Sequence, residues 1–332
     1  MSNERHNKDM GKDFPASCCA PAAAHERAAA ALSSQAWSRE DSHRDVADSM
    51  VSLPGGTFLM GTDYPDGFPG DGEGPVRAVS LSPFQIDKFP VTNTDFAAFV
   101  QNTGYRTEAE HFGWSFVFWS HIPEDRFDEL VEDTVAAAPW WCKVPGSFWK
   151  QPEGPGSSIH ERLTHPVVHV SWNDAATYAA WAKKALPTEA QWEYAARGGL
   201  EQKLYPWGDE LTPNGEHRCN IWQGQFPAQD TADDGYAGTC SVDAFPPNGY
   251  DLYSVTGNVW EWCADWFQSS FSSGTTLNDP TGPSDGQSKV MKGGSFLCHA
   301  SYCNRYRVAA RTTNTPDSSA SNIGFRCVRP FA

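Results

Sequence analysis

Residues 293–327 read GGSFLCHASYCNRYRVAARTTNTPDSSASNIGFRC, and the two cysteines in this stretch, Cys298 and Cys303, are the natural place to start. An offset of five does not align two side chains on one face of a straight helix. A turn at His299-Ala300-Ser301 would bring the two sulfurs together. Arg305, Arg307, Arg311 and a protonated His299 would then surround them with positive charge, which lowers a thiol pKa from its usual ~8.5. Two thiolates suit a soft ion such as Cu(I). The same spacing also suits a disulfide, or two inert core thiols. On spacing alone all three readings stand.

Away from this stretch the chain is rich in breakers. It holds 28 Gly and 24 Pro in 332 residues, which favours short elements joined by structured loops. Val51–Gly61 reads as two short strands around a Pro-Gly-Gly turn, and Val76–Asp87 alternates like one strand. Thr92 or Asn93 caps a helix through Val100, with Phe96, Phe99 and Val100 facing a core. A second helix begins at Asn173 and runs to Lys184. A third follows Pro187, where Thr188 and Gln191 have capping-box spacing and Gly198-Gly199 ends the run. After Glu201 no long helical period is visible. The expectation is one irregular α+β domain over 49–332, low in regular secondary structure, behind a flexible tail over 1–48 that carries Cys18 and Cys19. Those two thiols read as exposed groups in a disordered arm, or alternatively as a redox arm that visits the active site.

Composition narrows the function. A formal net charge of −16 disfavours nucleic acid and anionic membranes as partners. No apolar run approaches a bilayer span, and the polar start MSNERHNKDMGKDF lacks the apolar core of a secretory signal, so a cytoplasmic location is expected. The nine cysteines are odd in number, scattered, and contain no CxxC, which argues against both a disulfide framework and a zinc ribbon.

The opening stretch closely resembles the active-site region of the formylglycine-generating enzymes, the sulfatase-modifying factors, in their bacterial form. Further matching pieces are APWW at 138–141, HPVVHVSWNDA at 165–175, LPTEAQWEYAARGGL at 186–200, CNIWQGQFP at 219–227, DAFPPNGYDLY at 243–253 and GNVWEW at 257–262. The likeness runs from about Val51 to Cys327. It implies a C-type-lectin-like fold and a copper-dependent oxidase. That enzyme would convert the cysteine of a Cys-X-Pro-X-Arg motif in an unfolded sulfatase polypeptide to Cα-formylglycine, using molecular oxygen and a thiol reductant.

By the same resemblance Cys298 and Cys303 hold Cu(I), with Ser295 and Tyr302 at catalytic positions. Trp140, Trp141, Ser319, Asn322 and His299 would bind substrate. Structural calcium would be held by Asn220, Ile221, Asp234 and Tyr236, and at a second site by Gly257, Val259 and Glu261. At that second site Ser254 replaces the usual asparagine and reaches less far. Ala179, Ala196 and Val308 replace disulfide cysteines of secreted animal members, which leaves Cys327 a buried free thiol. A monomer is expected. Two other classes compete: a non-catalytic lectin-like binding paralogue, and an iron-dependent sulfoxide synthase relative, whose His-x3-His-x-Glu motif is missing here.

Overall fold

Glycine, proline and capping residues cut the chain into short elements, and the computed structural model describes these through residues 20–22, 49–271 and 276–330. The first strands are β1 (Met50–Leu53), β2 (Gly56–Met60), β3 (Arg77–Leu81) and β4 (Phe84–Asp87). The alternating stretch expected as one strand is therefore two, split at Ser82-Pro83, where proline offers no amide to a ladder. Helix α1 (Asn93–Thr103) starts at a Thr92–Asp95 capping box and ends at left-handed Gly104. Helix α2 (Glu108–Phe112) repeats the device with Thr107, Glu110 and Gly113. There follow β5 (Trp114–Phe118), α3 (Phe127–Leu130), β6 (Asp133–Val135) and β7 (Ala138–Pro145).

Helix α4 (Trp172–Trp181) is capped by Ser171. It starts one residue before the expected Asn173 and stops short of Lys184, because Lys183 turns left-handed at φ 56°. Helix α5 (Glu189–Arg197) has the expected Thr188–Gln191 box and Gly198 stop. Beyond it the described residues form only strands, turns and one short 3₁₀ turn: β8 (Gly224–Gln225), β9 (Gln229–Asp230), β10 (Trp260–Trp266), β11 (Leu277–Asn278), β12 (Lys289–Lys292), β13 (Arg311–Asn314), β14 (Ile323–Gly324) and β15 (Val328–Pro330).

The sheet that positions the site has the order β13-β12-β10-β14. β12 runs antiparallel to β10 and β13, while β14 is parallel to β10. β4 lies between β1 and β15, so the two ends of the domain close on one another. The two short strands β1 and β2 sit in different sheets. The principal core gathers Trp141, Trp222, Trp260, Trp262, Met291 and Phe325 with both Cys298 and Cys303. The expected tail lies outside the described residues except at 20–22. There Ala20 and Pro21 are buried, and Asn314 Nδ2 donates to their carbonyls at 3.4 and 3.1 Å.

β12 delivers the cysteine segment through Gly293 and Gly294, both at positive φ (92° and 74°). A Cβ on Gly294 would meet the Tyr306 Cα at 2.9 Å, so only glycine allows the chain to pass there.

Candidate active site

The turn expected between the cysteines is present. The Tyr302 and Cys303 amides both donate to the His299 carbonyl, at 3.1 and 2.7 Å. The two sulfurs lie 3.1 Å apart, far beyond the ~2.05 Å of a disulfide bond, so they are paired free thiols. Both are buried, at 2% and 0% exposure. Burial pushes the Cys298 thiol well above its usual range, reinforced by its contact with Cys303, while Arg305 works weakly against this.

The expectation of a thiol-activating cationic ring is corrected by the partners of each arginine. Arg305 is held by Asp71, and Arg307 makes a bidentate pair with Glu73 at 2.6 and 2.7 Å. Arg311 pairs with Glu189 at 2.7 Å through two nitrogens. The His299 ring folds back on its own loop, Nδ1 lying 2.8 Å from Ser301 Oγ, and burial lowers its pKa. The pair therefore sits among neutralised charges.

Backbone bonds hold the segment from below. The Trp222 amide donates to the Cys298 carbonyl at 3.1 Å, and the Phe296 amide to Asn258 O at 3.0 Å. The Gly257 amide donates to Gly293 O at 2.9 Å. Asn322 Nδ2 donates to Ser295 Oγ at 3.1 Å, so two expected catalytic-face residues do meet. Tyr302 stacks on Phe226 at 4.2 Å and meets Trp140 edge-on at 5.2 Å. Together they form an aromatic wall beside the thiols.

Neighbours on a strand point to opposite faces. Trp140 on β7 joins that wall, whereas Trp141 is fully buried against Phe118, so its expected place in a substrate groove is corrected to core packing. The Ser319 hydroxyl is engaged by Ser115 Oγ at 2.7 Å, and Ser115 in turn meets His169 Nδ1 at 2.8 Å. Ser115, His169 and Phe226 were not anticipated as site residues. Phe226 and His169 lie inside quoted pieces that carried the resemblance, and that was the available signal.

The expected calcium ligands fall into two differently built loops. Asn220 Oδ1 is buried without a hydrogen-bond partner. Asp234 Oδ2 accepts from the Ile221 amide at 3.0 Å and from Gln223 Nε2 at 2.9 Å, and Gln223 Nε2 also contacts Ile221 O. An orphaned side-chain oxygen, a carboxylate and a carbonyl in this one loop are hard donors of the kind that suit a divalent cation. At the second position the Glu261 carboxylate is held by Arg326 at 2.7 and 2.8 Å and by Trp192 Nε1 at 2.8 Å. Ser254 Oγ donates to Val242 O. That set does not fit a cation, because its one anion is already neutralised.

The model of the sulfatase-modifying factor enzyme 1-like domain matches residues 36–331. The chain belongs to that family. The formylglycine-generating enzyme of Thermomonospora curvata is 63% identical over 289 residues, covering 86% of this chain and 95% of the relative. The mouse formylglycine-generating enzyme is 56% identical over 278 residues, covering 84% and 74%. A mouse relative named inactive C-alpha-formylglycine-generating enzyme 2 is still 52% identical, covering 84% and 85%, so identity alone does not separate active from inactive members. The structure of PvdO from Pseudomonas aeruginosa is similar in fold, with a TM-score of 0.58 at 25% identity over 85% of this chain and 94% of the other.

Proposed function

We propose that the chain is a formylglycine-generating oxidase, acting on the cysteine of a sulfatase Cys-X-Pro-X-Arg motif with copper and molecular oxygen. The observation that carries this reading is the pair of buried sulfurs 3.1 Å apart. A two-cysteine set falls short of the three or four protein ligands that zinc takes, and two soft thiolates favour Cu(I) over calcium or magnesium. Cys298 and Cys303 would hold it, and bound copper would supply the reaction with oxygen. The neutral thiols give up protons when a metal binds, so copper affinity rises with pH. One or two family-type calcium sites were expected, and the Asn220–Asp234 loop supports one.

The chain's own residues supply binding and order. Trp140, Phe226 and Tyr302 present flat rings to an extended peptide at small entropic cost. Asn322 Nδ2 donates to the Ser295 hydroxyl, and the Ser295 carbonyl accepts from the Cys298 amide at 2.9 Å. The Trp222 and Asn258 backbone bonds hold the thiol loop in place before substrate arrives. All seven described cysteines are free and buried, which supports a reducing compartment such as the cytoplasm and a separate thiol reductant. Among the described residues no helix is long and apolar enough to cross a membrane.

The test is direct. Purified protein loaded with Cu(I) is given oxygen, a thiol reductant and a Cys-X-Pro-X-Arg peptide, and the peptide is weighed by mass spectrometry. Conversion of the thiol to the aldehyde lowers its mass by about 18 Da, as replacing CH2SH by CHO requires. Unchanged peptide with the copper-loaded protein would exclude the proposed activity.

A further inference from the structure

Three aromatic rings lead from the protein surface to the thiol pair. Trp207, partly exposed, stacks on Tyr205 with centroids 5.5 Å apart and planes at 14°. Tyr205 stacks on Tyr306 at 6.2 Å and 18°. Tyr306 is buried, belongs to the segment that follows Cys303, and its hydroxyl lies within electrostatic reach of Cys298, Cys303 and Cys219. The file of rings is rigid. Tyr205 and Gly208 exchange backbone bonds of 2.8 and 3.1 Å, and the Val308 amide ties Leu204 to the thiol segment at 2.9 Å. Tyrosine and tryptophan are the side chains most readily oxidised by one electron after cysteine. Near-parallel rings in contact pass an electron with little rearrangement.

We propose that Trp207, Tyr205 and Tyr306 form an electron relay between the surface and the Cys298–Cys303 centre. Through it a small thiol reductant supplies the electrons that the oxygen reaction consumes. The inference rests on the oxidase reading above. The balance requires such a supply. A peptide thiol, dioxygen, two electrons and two protons give the aldehyde, hydrogen sulfide and water. Two molecules of external thiol provide those electrons and protons and join as a disulfide. Each relay tyrosine that hands on an electron releases its phenol proton and regains it when refilled. Tyr306 lines a cavity of about 210 Å³ with His217, Cys219 and His299, which is roomy and polar enough for water to enter and accept that proton. The partly exposed 8% of Tyr205 allows the same exchange.

The route predicts where oxidative damage lands when no peptide is present. Copper-loaded full-length protein is first shown to convert peptide, which tests the underlying reading separately. The same protein is then turned over with oxygen and reductant but no peptide, and oxidised residues are mapped by mass spectrometry. Trp207 should be oxidised well beyond Trp119, which at 37% exposure reports damage by accessibility alone. In Tyr205→Phe the ring packing survives but the step is blocked. Trp207 oxidation should then fall about fivefold while Cys298 and Cys303 climb to sulfinic and sulfonic acids. The KM for peptide should stay unchanged while the dependence of rate on reductant weakens. Should Tyr205→Phe fail to fold, Trp207→Phe at the surface end carries the test, with oxidation expected to move back to Tyr205. Equal oxidation of Trp207 and Trp119, indifference to Tyr205→Phe, or oxidation confined to Tyr302 and Trp140 would each overturn the relay.

Discussion

The stretch after Gly293 contains two adjoining regions built on opposite principles. From Ser295 to Cys303 the chain is neutral and held by backbone bonds, an amide–hydroxyl contact and aromatic rings. From Arg305 to Arg311 every second or fourth residue is a buried arginine, and each is neutralised by a carboxylate from elsewhere. Asp71 and Glu73 come from the loop between β2 and β3, and Glu189 from the start of α5. The difference separates chemistry from scaffolding. The arginines nearest in sequence to the thiols bolt the segment to distant parts of the fold, and their charge is largely spent on those carboxylates, so that Arg305 only weakly offsets the burial of Cys298.

The contrast is broken most sharply at the thiols. Cys298→Ser or Cys303→Ser should abolish conversion, a loss of about 10³-fold or more that corresponds to roughly 4 kcal/mol in the barrier. Cu(I) binding should weaken with it. Folding should change little, because a buried hydroxyl in place of a thiol costs only about 1–3 kcal/mol. Peptide mass, copper titration and a thermal melt on the same preparation separate the effects. A serine variant that still converts peptide would remove the bis-thiolate centre.

In the arginine half the order reverses. Arg307→Met leaves the Glu73 carboxylate buried at 5% exposure without its bidentate partner. Breaking a buried pair from one side costs about 3–5 kcal/mol. Denaturant unfolding should show that loss, and Glu73→Gln in the same chain should recover part of it. Conversion per folded molecule should remain within severalfold of the parent. If stability were unchanged and activity lost, the charged half would belong to the chemistry after all.

How much of this was legible in the sequence follows the distance over which each feature is encoded. The Thr188–Gln191 box and the Gly198 stop are local, and α5 runs between them. The turn between Cys298 and Cys303 is local too, and it closes as expected. The short α2 carries an equivalent box, Thr107 with Glu110, but has only five residues, too few to show an apolar period. The partners of Arg305 and Arg307 lie 234 residues away, so no window of sequence reveals that their charges are cancelled. Trp140 and Trp141 are a different failure. Strand parity places one outward and one inward, but only the pairing of β7 with β5 decides which.

The neutral region extends to His169, which sharpens the comparison through pH. Burial pushes this imidazole down from 6.5 to about 4. Native protein holds it neutral while the unfolded chain protonates it below the ordinary value, so unfolding takes up a proton. Its contribution is complete above about 6.5 and is lost as pH falls through about 4. The shift corresponds to about 3 kcal/mol at the acid limit. His169 sits at a left-handed φ of 59°, a conformation asparagine tolerates. His169→Asn should therefore flatten the acid limb of urea unfolding between pH 6.5 and 4. Superimposable limbs for parent and variant would mean that His169 is not held neutral.

The smallest effect concerns the loops beneath the thiol segment. Asn220 O accepts from the Asn258 amide at 2.8 Å, and Asn258 O in turn holds the Phe296 amide at 3.0 Å. A cation gathered by Asn220, Ile221, Asp234 and Tyr236 would therefore brace the backbone two residues before Cys298, through one strand-like relay. Ligand that binds only the native state at ten to a hundred times its Kd stabilises by about 1–3 kcal/mol. For a domain of this size that is roughly 2–10 °C in Tm. Adding a chelator to calcium-treated protein should lower Tm by that amount, and Asn220→Ala should abolish the response. The Glu261 position gives the internal contrast, since its carboxylate is committed to Arg326: Ser254→Ala should leave the calcium response intact. A chelator effect that vanished with Ser254→Ala and survived Asn220→Ala would exchange the two loops' roles. The thiol segment would then be braced from the Arg326 side instead.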